Sequence, residues 1–137
     1  MAFDKAASAE PGVVGWYFQL LLRAMTVEQL KAMRERVGAL ENYLDVQAKR
    51  HKIENDKSLS LSPGFWDDNQ RATAILKEIK TNSYWTDLFD QTRQAVDDFA
   101  VLFDFWKEGE ATEEEVSHAH ETAIQKLDEL EFKSTLN

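Results

Sequence analysis

The one spacing in this chain that could organise chemistry is Glu115-Val116-Ser117-His118. A Glu-x-x-His step sets a carboxylate and an imidazole one helical turn apart, the arrangement with which carboxylate-bridged dimetal bundles hold their ions. Those sites take two such steps on facing helices and further inward Glu residues, and only one step is present here. At ~100° per residue His118 falls about 200° from Val116, on the side away from the expected core. His120 falls nearer the apolar stripe, where a lone His packs or is solvated. The pairs Asp67-Asp68 and Asp97-Asp98 are adjacent, so their carboxylates diverge on a helix; capping and solvation account for them. The chain has no Cys, which removes disulfides, thiolate metal sites and cysteine nucleophiles together. It has no Gly-rich phosphate loop, nucleophile elbow or zinc-type spacing. The residues therefore predict no active site, no metal and no cofactor.

Charge narrows the partners. The formal net charge is −9 over 137 residues, unevenly spread. Residues 26–57 hold seven Lys/Arg against six Asp/Glu, residues 58–108 five against nine, and residues 109–137 two against eight. An acidic chain does not neutralise phosphates over a broad surface, so general nucleic-acid binding is disfavoured. The local exception is Lys49-Arg50-His51-Lys52. Lys49, Arg50 and Lys52 are the candidate partner contact, against the plainer reading of a solvated helical face.

The elements that must position these groups are helices. From Pro63 to about Lys107 the chain runs for some forty residues with no Gly or Pro after Gly64, roughly 60 Å as a helix. Its apolar positions step Trp85, Phe89, Thr92, Val96, Phe99, Phe103, Trp106, the alternating four-three spacing of a helix seam. Leu88, Ala95 and Leu102 add a flanking row, so this helix needs neighbours on more than one side. Ahead of it, Thr26 with Gln29 is a capping-box pattern that predicts a helix start, with a stripe of Leu30, Met33, Val37, Leu40, Leu44 and Ala48. Ala39, Tyr43, Val46 and Ile53 fall on its opposite side, for either the N-terminal segment or a partner. Ser58 to Gly64 is the link, turning at Pro63-Gly64. Phe65 and Trp66, just ahead of Asp67 or Asp68 as helix cap, are the candidate structural anchor that locks this hairpin. After Gly109, Thr112 with Glu115 makes a second capping box, and Val116, Ala119, Ala123, Leu127 and Leu130 form the next stripe.

Residues 1–24 stand apart. Pro11-Gly12 breaks the chain and Val13 to Met25 is apolar almost all round. Such a helix must be covered, by the bundle or by a second copy. A membrane-surface anchor would carry a cationic face, which is missing. The apolar run is too short to span a bilayer, and it lacks the basic start and cleavage site of a secretory signal. The expectation is an all-α protein in the cytoplasm: an antiparallel bundle of three long helices with an additional short N-terminal helical segment. Residues 1–24 are expected as an extension, 25–133 as the helical domain and 134–137 as a loose tail.

One family shares these residues. Leu40, Tyr43-Leu44-Asp45, Lys49, then Pro63-x-Phe65-Trp66-Asp67-Asp68, Arg71-Ala72 and Lys77-Glu78 resemble the N-terminal helical domain of bacterial peptide chain release factor 2. Met25-Thr26-Val27-Glu28-Gln29-Leu30-Lys31 is similar to that family's usual start. Thr112-Glu113-Glu114-Glu115 and Leu130-Glu131-Phe132-Lys133 sit where it has its closing helix. The match covers roughly residues 25–136, and Tyr-Leu-Asp with Phe-Trp-Asp-Asp is its most specific part. The resemblance implies a translation-termination factor acting at UGA and UAA stop codons. In that family the catalytic Gly-Gly-Gln and the codon-reading Ser-Pro-Phe lie in later domains. This sequence has no Gly-Gly-Gln, and Ser62-Pro63-Gly64-Phe65 is interrupted by Gly64. What the resemblance carries over is the non-catalytic first domain, whose partner is the stalk base of the large ribosomal subunit. The competing reading is a free-standing helical adaptor or coiled-coil module, because wide apolar arcs also suit a homo-oligomer.

Overall fold

A computed structural model describes residues 11–136 of the chain. Four α-helices account for nearly all of them: α1 (Pro11–Leu44), α2 (Val46–Ser60), α3 (Asn69–Lys107) and α4 (Glu113–Thr135). A single 3₁₀ turn, Phe65–Asp67, precedes α3, and no strand occurs among the described residues. The fold is the expected all-α bundle. Its organising helix is α3, which packs against each of the other three. The C-terminal half of α3 lies between α1 and α4 in a three-helix layer, while its first turns pair chiefly with α2.

The apolar spacing of α3 explains this. Phe89, Thr92, Val96, Phe99 and Phe103 are buried, and Trp85, Leu88, Ala95 and Leu102 pack half-buried beside them. Met33, Val37, Leu40 and Leu44 arrive from α1, and Ala119, Ala123, Leu127 and Leu130 from α4. Each large side chain taken fully out of water contributes about 1.5–3 kcal/mol, so this layer carries most of the stabilisation. Thr92 is tolerated in the seam because its hydroxyl donates to the Leu88 carbonyl at 2.8 Å. Toward the other end α3 presents Ala72, Ile75 and Ile79, smaller and fewer, and the bundle thins to a hairpin.

Two boundaries differ from the sequence expectation. Thr26 does not open a helix: α1 runs through it, and its hydroxyl donates back to the Leu22 carbonyl at 2.9 Å. A Thr hydroxyl does this inside a helix, whereas at a cap it accepts from the next turn. The short N-terminal segment is thus the first part of α1, which begins at Pro11, a position suited to a ring that fixes φ and needs no donor. The part of the expected extension before residue 11 lies outside the described residues, as does Asn137. At the C-terminal side the expected loose tail begins inside α4, where Ser134 is buried and its hydroxyl donates to the Leu130 carbonyl at 2.8 Å.

The second difference is at Asp45. The stripe of α1 does not continue to Ala48, because Asp45 adopts φ 50°, ψ 56° and ends the helix. Asp is among the few residues that enter this left-handed region with little penalty. The break changes the rotation of α2 relative to α1. Val46, expected on the far side, is 1% exposed in the core, and Ala48 turns out to solvent. From there the inner row of α2 reads Val46, Lys49, Ile53, Asp56, Ser60, a far more polar face than that of α1.

Candidate functional site

The basic cluster is built into the fold. Lys49 Nζ donates to the Leu44 carbonyl, closing the end of α1 where the Asp45 break leaves carbonyls without helical partners. Arg50 makes a two-pronged pair with Asp90 of α3, Nη2–Oδ1 at 2.6 Å and Nη1–Oδ2 at 3.1 Å. The Arg50 bonds hold the Asp90 carboxyl below the usual carboxylate range, and Arg93, 3.5 Å away, adds to the effect. Lys52 Nζ donates to Asp56 Oδ1 at 3.0 Å and lies 3.4 Å from Glu78 of α3. Its ammonium pKa is raised, first by the Asp56 bond and then by Glu78. The three cations proposed from sequence as a partner contact all have intramolecular partners, two of them across to α3. His51, between them, is exposed.

The same pattern extends along α1. Arg34 meets Asp97 of α3 at 2.7 Å. Arg36 reaches α4, bonding Glu131 at 2.6 and 2.9 Å and Asp128 at 2.7 Å. Its guanidinium pKa is raised, above all by the Glu131 bonds. The charge asymmetry of the sequence has its structural counterpart here: cations of α1 and α2 face the acidic helices α3 and α4. Spacing along one helix carries no signal for pairs between helices, so neither Arg36 nor Asp90 stands out from the sequence.

Asp56 is the least expected member. It is 1% exposed, and while Oδ1 accepts from Lys52, Oδ2 has no hydrogen-bond partner. A buried acceptor without a partner costs about 1–3 kcal/mol.

The histidines occupy different settings. His118 is exposed on a groove between α3 and α4, near Asp90, Asp98 and Lys126. His120 is half-buried with its ring edge-on to Phe99, centroids 5.3 Å apart. Among the described residues no three His, Asp or Glu side chains converge in a way that would hold a metal ion. A recess of about 290 Å³ opens between α1, α3 and α4, with Leu22, Phe99, Trp106 and Val116 as apolar walls and Gln29 and Glu113 among its polar groups.

The hairpin anchor divides into two roles. Phe65 is 8% exposed and inserts under the turn, while Trp66 is 60% exposed and stands edge-on to it at 5.3 Å. Gly64 enters the turn at φ 78°, and Asp68 caps α3 by accepting from the Arg71 backbone N–H at 3.1 Å. At the start of α4 the expected capping box is formed: the Glu115 N–H donates to Thr112 Oγ1 at 3.1 Å and the Thr112 N–H to Glu115 Oε1 at 3.2 Å.

The first part of α1 holds the feature that sequence spacing leaves open. Arg23 Nη2 donates to the Lys107 carbonyl at 3.0 Å, with its guanidinium 6.0 Å from the Trp106 ring centroid. A cation there complements the negative end of the α3 dipole and ties α1 to the end of α3. The outward side of the same segment is uncovered: Trp16, Tyr17, Leu21 and Met25 are each more than half exposed. No helix among the described residues is long and apolar enough to cross a membrane. No protein-family model matches the chain.

Proposed function

We propose that this chain is a non-catalytic docking module of the bacterial translation-termination machinery, equivalent to the first helical domain of a release factor 2-like protein acting at UGA and UAA, with the stalk base of the large ribosomal subunit as its partner. The observation that carries this reading is the residue-by-residue resemblance, because its most specific parts fall at two of the irregular points of the bundle. Tyr43-Leu44-Asp45 spans the left-handed break between α1 and α2, and Phe65-Trp66-Asp67-Asp68 builds the turn and cap that start α3. Residues that fix irregular backbone are harder to meet by chance than an amphipathic repeat. Lys49, Arg50 and Lys52 each hold a contact within the bundle in this reading.

The test is co-sedimentation of the full chain with purified large ribosomal subunits, with small subunits as control. Saturable pelleting with large subunits alone supports the proposal. Equal recovery with both, or with neither, overturns it. A second reading, a free-standing helical adaptor that self-associates, is favoured by the outward apolar face of α1 and requires no affinity for ribosomes.

A further inference from the structure

The outward face of α1 between Trp16 and Val27 has an order that scattered surface apolar residues lack. At ~100° per residue, Trp16, Val27, Leu20, Tyr17, Leu21 and Met25 fill an unbroken arc of about 180°. All six are exposed, from Leu20 at 45% to Tyr17 at 67%. The opposite side of the same turns, Leu22 and Thr26, is half-buried toward the bundle. The arc stops sharply. From Glu28 onward the outer side carries Lys31, Arg34, Glu35 and Asn42, the usual surface of a helix with one apolar face.

From their fractional exposures the six side chains present on the order of 700 Å², with aromatic side chains at ~150–250 Å² each when bare. The largest apolar patch on a typical monomer is about 300–600 Å², and a standard stable interface buries about 800 Å² per partner. The patch therefore exceeds what a monomer ordinarily leaves in water and nearly supplies one side of an interface.

We propose that α1 is the interface of a symmetric homodimer, in which the arc of one copy packs antiparallel on the same arc of a second. Charge singles out a second copy as the occupant. Between residues 11 and 27 the only charged side chain is Arg23, and its guanidinium is bonded to the end of α3. Along this stretch two chains of net charge −9 can meet without placing acidic groups of residues 11–27 against each other. Glu113, at the acidic start of α4, lines the recess on the inner side of α1, away from the arc. A two-fold axis makes the patch self-complementary, and an arc about 18 Å long accommodates an antiparallel helix pair. A lipid surface is the poorer fit: between Trp16 and Val27 the arc itself carries no Lys or Arg, Arg23 at its edge is bonded to the Lys107 carbonyl, and the chain as a whole is acidic. The interface does not depend on the ribosomal reading, and its test is separate.

Sedimentation velocity of the full chain from about 1 to about 200 µM should show a reversible species of twice the 15.8 kDa chain mass, with dissociation in the micromolar range. Tyr17→Glu/Leu21→Glu buries four uncompensated carboxylates per dimer and should weaken association at least about 100-fold with unchanged helical content. Because the chain contains no Cys, Ala24→Cys near the middle of the arc should form an intermolecular disulfide under mild oxidation, whereas Lys57→Cys on α2 should not. This cross-link reads the geometry even where the double Glu variant fails to fold. A wild-type chain that remains monomeric at the highest concentration overturns the proposal. So does a dimer that Tyr17→Glu/Leu21→Glu leaves intact, or a monomer that floats with phosphatidylglycerol-containing vesicles.

Discussion

Asp56→Leu should make the protein more stable. Asp and Leu branch at the same atom, so the substitution keeps the connectivity of the side chain while replacing a planar carboxylate with a bulkier tetrahedral apolar group. In the native protein Asp56 is 1% exposed, one carboxylate oxygen bonds Lys52 and the other bonds nothing. Removing the unpartnered acceptor relieves about 1–3 kcal/mol, and burying two methyl groups in its place adds about 1–2 kcal/mol. Against this stands the greater width of methyl groups over oxygens, an overpacking cost of about 1–3 kcal/mol in a tight site. Lys52, already half-exposed, turns to water and Glu78. The net expectation is a gain of about 1–2 kcal/mol, because Lys52, the partner left behind, is half-exposed and keeps its charge in water. In urea, with a slope of about 1–3 kcal/mol per molar, the midpoint followed by circular dichroism should rise by roughly 0.5–1 M. Asp56→Asn removes the charge but sets an amide donor where no acceptor waits, and should fall below Asp56→Leu. A fall in midpoint for Asp56→Leu with an unchanged slope would refute the reasoning: the carboxylate would then be making bonds worth more than its desolvation.

The same geometry sets three further outcomes. Asp90→Asn removes the Arg50 pair, and its effect should depend on pH. Because the folded-state pKa of Asp90 lies below its ordinary 3.8, the pair stabilises above about pH 4 and its contribution is lost as pH falls through the folded value. Wild type and variant should therefore differ at pH 7, by less than about 1 kcal/mol given the partial exposure, and the difference should shrink in thermal melts as the pH is lowered through the acid range. Phe65→Ala should cost about 3 kcal/mol in urea unfolding and Trp66→Ala less than about 0.5 kcal/mol, because only the first ring is buried. Gly64→Ala should lose about 1 kcal/mol in the same assay, since its φ is 78° and a Cβ would sit 2.9 Å from Asp67 Oδ2, which can move aside while the backbone strain cannot.

The parts of the fold that are legible in the sequence are those written along one helix. The seam from Trp85 to Trp106 and the stripe from Val116 to Leu130 are readable because burial repeats at the helical period, and the structure buries or half-buries those positions. The Thr112 capping box is readable for the same reason: its partners lie three residues apart. Thr26 carries the same pattern as Thr112, yet no Gly or Pro near it stops the preceding turns, and the helix passes through. Asp45 shows the opposite failure. A left-handed residue inside a strongly helical stretch has no compositional flag when the residue is Asp, and the break turns Val46 inward and Ala48 out. The pairing of the basic cluster is not readable from sequence because a helical wheel shows which side a charge is on and not what stands across from it. Arg50 faces Asp90, forty residues away, and Arg36 faces Glu131 across ninety-five.

The distribution of charge and apolar surface along α1 separates two kinds of end. The cross-helix ion pairs of α1 and α2 fall between Arg34 and Lys52, where the acidic flanks of α3 and α4 offer partners. Before Glu28 that device ceases, and the helix turns instead to aromatic and aliphatic side chains on its outer side. An isolated bundle gains nothing from such a face, since each exposed apolar side chain leaves about 1.5–3 kcal/mol of burial unrealised. The inner face of those same turns is already committed, through Arg23 to the Lys107 carbonyl and through Leu22 and Thr26 to the recess wall. Rotation of α1 therefore cannot hide the outer face without breaking the inner one. Covering it takes chain other than the described bundle, and the charge of the surrounding surface bears on which chain can approach. This makes Tyr17 and Leu21, rather than the basic cluster at Lys49, Arg50 and Lys52, the residues whose substitution should change what the protein associates with while leaving the bundle intact.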